Sequence, residues 1–373
     1  MKILMVSPLD VFPPNTGGMS RIYNMAKYLS RRHTVALACP RLASPEANDL
    51  PIEVYPIARP GRAQFVSPRC VWRLRSVIRK TSPDLIISSF CWSMPRLALA
   101  RFPARIPVHL ETQNVESDRF RLAGSRWWRL MALYERLALR LADRVYAVSA
   151  DDRRRLEALG MPATKCVLAP NGYDEERFRP DPAAGAAMRK ALGIAEDELL
   201  FLYFGHMQYA PNIEGAEILH REVLPRLDQR GLRYRLAVAG RGSEELGARL
   251  HHPRLLFTGV VERIQDLINA SDAVVAPLLR GGGTRVKIIE SIACGRPVVS
   301  TTVGAEGLDR AACGGLLDVV DDWDGFACAM AQASVRHRKM ASVPAAFRAE
   351  YAWSAIVDRM QIAAERNDAV GAG

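Results

Sequence analysis

Residues 276–308 read APLLRGGGTRVKIIESIACGRPVVSTTVGAEGL. An apolar strand, 273–277, ends at Pro277. Three glycines follow, Gly281, Gly282 and Gly283, and a helix opens near Thr284, covering 284–294. A further apolar run, 297–301, reads as the next strand. A strand, a glycine loop, a helix and a second strand in that order form a parallel β-α-β unit. A glycine loop that feeds a helix presents free backbone N–H groups and the positive end of the helix dipole, which is a phosphate site by construction. Arg285 and Lys287 add positive charge beside it. Lys287 and Glu290, three residues apart, share a helix face, and a carboxylate there can accept hydrogen bonds from a ribose diol.

The same alternation extends through the chain. Upstream in the second half, strands fit 199–204, 234–239 and 254–258, with helices at 212–227 and 262–270. In the first half, strands fit 2–8, 33–39, 84–89, 106–111, 144–149 and 165–169, with helices at 18–31, 68–80, 125–142 and 150–159. Short buried strands alternating with helices predict an α/β protein with parallel sheets covered on both faces. The Pro-, Gly- and charge-rich stretch 170–197 interrupts the pattern. The expected organisation is therefore two doubly wound, Rossmann-like domains facing a cleft: 1–175, a hinge at 176–197, then 198–350. A helix over 351–367 ends the chain with a frayed tail.

Length and composition agree with this organisation. A chain of 373 residues can bury two cores, and 49% hydrophobic with 24% charged residues is ordinary globular composition. No apolar run reaches about 18 residues, so no spanning helix is expected, and the opening residues read as a strand and not as a signal peptide. The seven cysteines are scattered without C-x-x-C or zinc spacing, as in a reduced cytoplasmic protein with buried thiols. The net charge of +11 is unevenly placed. Residues 1–175 hold 27 Lys+Arg against 15 Asp+Glu, whereas residues 176–373 hold 24 against 25. The first domain is thus the one that faces an anionic surface or ligand. Two of its helices set tryptophans among arginines: Trp72 with Arg69, Arg73, Arg75 and Arg79, and Trp127 and Trp128 with Arg126, Arg129, Arg136 and Arg140. This pairing suits anionic lipid headgroups. No RNA- or DNA-binding module is recognisable, and nucleic acid is not an expected partner.

A second glycine pair, Gly17-Gly18, sits between the first strand and the first helix, again where phosphate can approach a helix N-terminus. Other patterns fail. Gly240-Arg241-Gly242 follows a strand, but Glu245 stands where a dinucleotide fingerprint needs its third glycine. Asp322-Trp323-Asp324 resembles an acidic metal-binding triplet, yet it opens a helix and reads as acidic capping.

At this point the residues resemble a known family. PPNTGGMSRIYNMAKYLSRRHTV (13–35), ADRVYAVSADDRRRL (142–156), VLAPNGYDEERFRP (167–180) and GGGTRVKIIESIACGRPVVSTTVGAEGL (281–308) are similar to the retaining glycosyltransferases of family 4, which have the two-Rossmann GT-B fold. The resemblance spans nearly the whole chain. It implies a nucleotide-sugar donor, most commonly a UDP-sugar, held in the C-terminal domain without cofactor or metal. Glu290 matches the family's ribose-binding residue, Gly281, Gly282, Gly283, Thr284 and Arg285 its diphosphate turn, and Val260 and Val261 the segment that packs on the base. Gly17 and Gly18 match the N-domain loop near the donor phosphate. Asn171-Gly172 matches the hinge-side turn. The closing helix of such enzymes crosses back onto the first domain.

The chain also departs from the family. Gly282 stands where many relatives have a second glutamate that contacts the donor sugar. The segment GHMQYAPNIEG (205–215) lacks the Arg and Lys found after the first strand of the second domain; Asn212 is the nearest substitute, and Arg285 and Lys287 are expected to supply the charge. Gln113-Asn114-Val115-Glu116 replaces a His-Asn-Val-Glu. Gln113, Asn114, Glu116, Asn171 and Asn212 are the expected sugar or acceptor contacts. The reaction implied is transfer of a sugar from a nucleotide diphosphate to a hydroxyl of a lipid-linked or growing glycan acceptor, with retention, at the inner face of the cytoplasmic membrane. Two rivals share the fold: a catalytically degenerate partner subunit and a nucleotide-sugar 2-epimerase.

Overall fold

The computed structural model describes residues 1–14, 16–40, 50–57, 67–280, 284–336 and 342–360. The chain divides into two units, Met1–Asn171 with the segment from Trp353 onward, and Gly172–Ala352.

The first unit is built on seven strands: β1 (Lys2–Val6), β2 (Thr34–Cys39), β3 (Glu53–Pro56), β4 (Leu85–Ser89), β5 (Val108–Glu111), β6 (Arg144–Ala147) and β7 (Cys166–Leu168). They lie in the order β3-β2-β1-β4-β5-β6-β7, and every pairing is parallel. Successive side chains of a strand point to opposite faces, so each strand feeds two cores. Leu4, Val6 and Ile86 pack with Leu74, Leu97 and Leu139 on one face. Ile3, Met5 and Ile87 pack with Ile22, Met25 and Trp353 on the other.

The second unit repeats the plan with β8 (Leu199–Phe204), β9 (Tyr234–Ala239), β10 (Leu255–Gly259), β11 (Ala273–Ala276), β12 (Val298–Ser300) and β13 (Leu317–Val319). The order β10-β9-β8-β11-β12-β13 is again all parallel. In each unit the strand order reverses beside the first strand, which places the ligand crevice outside the carboxyl ends of β1 and β4 in one unit and of β8 and β11 in the other. Backbones approach closely there: a Cβ on Gly240, which has φ +117°, would collide with the carbonyl oxygen of Gly205.

Three stretches that the sequence reading assigned take another form, and β3, β13 and the helices Met94–Arg101 and Glu116–Leu122 are absent from that reading, in which the helix Trp323–Arg336 appears only by its start. Residues 176–197 lie in the second unit and contain the helix Pro182–Ala191. Pro182 occupies its first turn, where the missing N–H costs nothing, and the Asp181 side chain caps it by accepting from Ala184 N–H at 2.9 Å. Gly185 is needed because a Cβ would strike the Asn269 carbonyl. The helix expected over 212–227 runs as Ala210–Ile218, a π-helical turn Leu219–Val223, and Leu224–Gln229. Pro225 has no N–H to give the regular ladder, which favours the wider turn. The closing helix is interrupted: Ala345–Tyr351 belongs to the second unit, Ala352 bridges to Tyr173, and 353–360 is helical in the first unit. Residues beyond 360 lie outside the described residues.

Buried Arg21 organises both ends of the first unit's chain. Its Nε donates to Glu111 Oε1 at 2.5 Å, its Nη1 to the Pro170 carbonyl and Asn171 Oδ1, and its Nη2 to the Ala169 carbonyl. Its guanidinium lies 5.6 Å from the centre of the Trp353 ring. Residues on both sides of the second unit's insertion are thereby tied to one side chain.

Candidate active site

In the second unit the site residues gather outside β8 and β11. The helix Val286–Ala293 begins after Arg285 with no side-chain cap and no acidic residue in its first turn, so its leading N–H groups and dipole remain for a ligand. Thr284 is buried, and its Oγ1 has no hydrogen-bond partner among the described residues. The loop glycines Gly281, Gly282 and Gly283 lie outside the described residues.

Lys287 projects from the first turn toward the end of β8. Its Nζ donates to Asn212 Oδ1 at 3.2 Å and stands 4.7 Å from the centre of the Tyr203 ring. Asn212 is held in turn: its Nδ2 donates to the His206 carbonyl at 3.0 Å, and Tyr203 Oη donates to the Asn212 carbonyl at 2.9 Å. The segment 205–215, which lacks the family's Arg and Lys, therefore meets the ammonium of Lys287. Burial, with Arg285 nearby, pushes the Lys287 ammonium down to about 7. Burial lowers Arg285 as well. One turn along, burial raises the Glu290 carboxyl to about 7, against the opposing pull of Arg177 and Lys287. The Glu290 carboxylate makes no hydrogen bond or ion pair among the described residues. These groups form a half-buried, cation-bearing surface with one uncommitted carboxylate, matched to a phosphate anion and a diol.

Val260 is exposed just after β10, and Val261 is half-buried. The acidic triplet is spent on structure: Asp322 Oδ1 accepts from Gly325 N–H at 2.6 Å, and Asp324 pairs with Arg226. No group of His, Cys, Asp or Glu suited to a metal ion occurs among the described residues.

The first unit has its own pocket of about 970 Å³ outside β1, β4 and β5. It is lined by Gly18, Gln113, Asn114 and Glu116 from the sequence reading. Gly18 and Gln113 meet directly. Gln113 Nε2 donates to the Gly18 carbonyl at 3.2 Å, and a Cβ on Gly18 would collide with Gln113 Oε1. Gly17 has open space around it. Thr16 caps the helix Gly17–Leu29 by accepting from Met19 N–H. Asn171 is turned to Arg21. The aromatic wall of the pocket, including Trp92, Phe120 and Tyr134, escaped the sequence reading. These residues come from three separate elements, and no local spacing announces them.

The model of Glycosyltransferase Family 4 matches residues 16–177, and that of the Glycosyl transferases group 1 matches residues 198–334. EpsF of Bacillus subtilis, described as a glycosyltransferase, is 31% identical over 249 residues, 64% of this chain and 63% of its own. A D-inositol 3-phosphate glycosyltransferase of Geodermatophilus obscurus is 27% identical over 291 residues, 72% of this chain and 60% of its own. The chain thus spans about three-fifths of the length of these curated relatives. Among solved structures, Anabaena HepE in complex with UDP-glucose is 20% identical with a TM-score of 0.71, over 99% of this chain and 100% of that one. A sucrose-phosphate synthase from Thermosynechococcus elongatus is 18% identical with a TM-score of 0.75, over the same shares. These likenesses show the GT-B type of α/β fold. Taken with the two family matches, one in each unit, they make the chain a member of the family 4 type of glycosyltransferases.

Proposed function

We propose that the protein transfers a sugar from a nucleotide-diphosphate donor, bound by the second unit, to a hydroxyl of an acceptor held by the first, with retention of configuration. The observation that carries this reading is the grouping of Lys287, Arg285 and Asn212 at an uncapped helix start, with Glu290 one turn on. Negative charge develops on the diphosphate as it leaves. Lys287, Arg285 and the leading N–H groups are preorganised to receive it, and such groups act most strongly where water is excluded. Lys287 and Arg285 are thus the proposed catalytic residues, and the charge they supply stands in place of a metal ion. Glu290 accepts from the ribose diol, and Val260 and Val261 pack on the base. A UDP-sugar is the first donor to test, as HepE binds UDP-glucose. The panel includes GDP, since a Mycobacterium tuberculosis relative is named as GDP-mannose-dependent. Proton NMR of the first-formed product reads the anomeric outcome, and turnover unchanged by EDTA supports metal independence.

The basic first unit is the proposed membrane-facing part, which places the acceptor among lipid-linked or growing glycans at the inner face of the cytoplasmic membrane. No helix among the described residues is long and apolar enough to cross a membrane. The helix Trp128–Leu141 nevertheless has two apolar faces. Met131, Ala138 and Leu139 are buried, whereas Leu130, Leu133 and Leu137 are exposed between Arg129, Arg136 and Arg140. Trp72, Leu99 and Phe102, on packed neighbouring segments, are exposed as well. An apolar stripe flanked by arginines matches an anionic bilayer surface. Vesicles of phosphatidylglycerol are expected to carry the protein upward in a flotation gradient, less so in high salt. Flotation that is absent, or indifferent to salt, counts against the membrane contact.

A further inference from the structure

The pocket of the first unit carries more information than its volume. Its aromatic side chains form a connected wall: the Trp92 ring centre is 6.0 Å from that of Phe120 and 5.9 Å from that of Tyr134. Trp127, 58% exposed, adds an indole whose ring centre lies 5.7 Å from the Arg126 guanidinium. The charged groups are arranged to cancel. Both Nε and Nη2 of Arg119 donate to a single oxygen, Glu116 Oε2, at 3.0 and 2.6 Å. Glu116 Oε1 has no partner among the described residues, and neither does the side-chain amide of Asn114. Glu116 is also fixed from behind. Buried Glu135 accepts from the Glu116 N–H through Oε1 at 2.8 Å, and from the Ser117 N–H and hydroxyl through Oε2. The pocket therefore offers one rigid, uncommitted carboxylate oxygen, one amide and a broad aromatic face. Among the described residues the one cationic side chain lining it, Arg119, is already paired.

We propose that this pocket seats a neutral, hydroxyl-bearing ring, the terminal sugar residue of the acceptor, and rejects rings that carry a phosphate or carboxylate. Sugar hydroxyls donate to Glu116 Oε1 and exchange hydrogen bonds with Asn114. The apolar C–H face of the ring lies against the aromatic wall. An anionic substituent must be desolvated beside the already neutralised Glu116–Arg119 pair, a cost that a neutral ring does not carry, and unpaired buried polar groups discriminate sharply. The inference rests on the glycosyltransferase reading above, since that reading is what makes the occupant an acceptor.

The test uses the full chain and a panel of methyl hexosides, the corresponding hexoside 6-phosphates and the corresponding uronic acids, with binding read by saturation-transfer NMR. UDP binding is measured alongside on every variant. At least one neutral hexoside is expected to bind at least about tenfold more tightly than its phosphorylated or carboxylated counterpart. Trp127→Ala, a change at an exposed side chain, is expected to weaken the neutral ring without affecting UDP. Glu116→Gln is expected to do more than weaken it. The substitution releases Arg119, so the preference inverts toward the 6-phosphate, a reversal that a merely structural role would not produce. Tighter binding of an anionic ring by the unaltered protein overturns the proposal. So does neutral-ring binding that is indifferent to both substitutions. If no ring binds while UDP still does, the pocket assignment falls and the donor-site reading stands; if UDP also fails to bind, the glycosyltransferase reading itself falls.

Discussion

Lys287 and Glu290 each carry a burial cost that depends on pH. The Lys287 ammonium is lowered from its ordinary 10.5 to about 7, so between those values the unfolded chain binds more protons than the folded one, and stability rises with pH. Glu290 is raised from 4.5 to about 7, so between those values the folded chain binds more, and stability falls with pH. The two costs therefore overlap most around neutrality, since the Lys287 cost is fully present only below about 7 and the Glu290 cost only above it. Lys287→Met is expected to raise the stability of the ligand-free protein by roughly 1–3 kcal/mol at pH 7, the gain shrinking toward pH 10 in thermal melts at each pH. A bound diphosphate restores the ammonium. Titration calorimetry at pH 8 in buffers of differing ionisation enthalpy is expected to show uptake of up to about one proton per nucleoside diphosphate bound. Binding without proton uptake contradicts this assignment of Lys287. Arg285→Ala is expected to lower turnover by about 10²–10³ with the melting temperature little changed.

At the scale of elements, Arg21 joins the helix Gly17–Leu29 to the ends of β5 and β7 and to the returning segment at Trp353. Arg21→Met leaves Glu111 buried and uncompensated, and is expected to destabilise the first unit by about 3–5 kcal/mol in denaturant unfolding. The exposed leucines of Trp128–Leu141 belong to the opposite class. Leu130→Ser with Leu133→Ser is expected to leave stability within about 0.5 kcal/mol, as exposed positions do, yet to abolish most vesicle flotation. Both effects come from contacts that local sequence conceals. The run that became β8 was legible to the residue because it is buried on both faces and reads as an unbroken apolar stretch, and β9 was nearly so, with half-buried Arg235 its one interruption. β3 and β13, short and only half-buried, give no such run. Pro182 and Gly185 look like linker residues in sequence. They are a helix start and a packing contact, and only the neighbouring Asn269 distinguishes the two. The grouping of Arg285, Lys287 and Glu290, the proposed donor side, is local in the chain: they sit within six residues of one another behind a glycine loop. That of Trp92, Phe120 and Tyr134 is not, since tertiary folding alone assembles it.

For the whole molecule, two units are built on like strand order, one carrying the cationic helix start and the other the aromatic pocket. Sequence periodicity was sufficient for the architecture because each unit satisfies its own burial. The central claim is that the second unit binds a nucleoside diphosphate through Lys287, Arg285 and Glu290. The most direct test is a thermal-shift series with UDP, GDP, ADP and dTDP on the unaltered protein and on Glu290→Ala. At 100 times its dissociation constant, a bound ligand adds about 2.7 kcal/mol of stability. The account predicts a clear upward shift with at least one of the four, lost or strongly reduced in Glu290→Ala. No shift with any of them, or a shift of equal size in the variant, would contradict it.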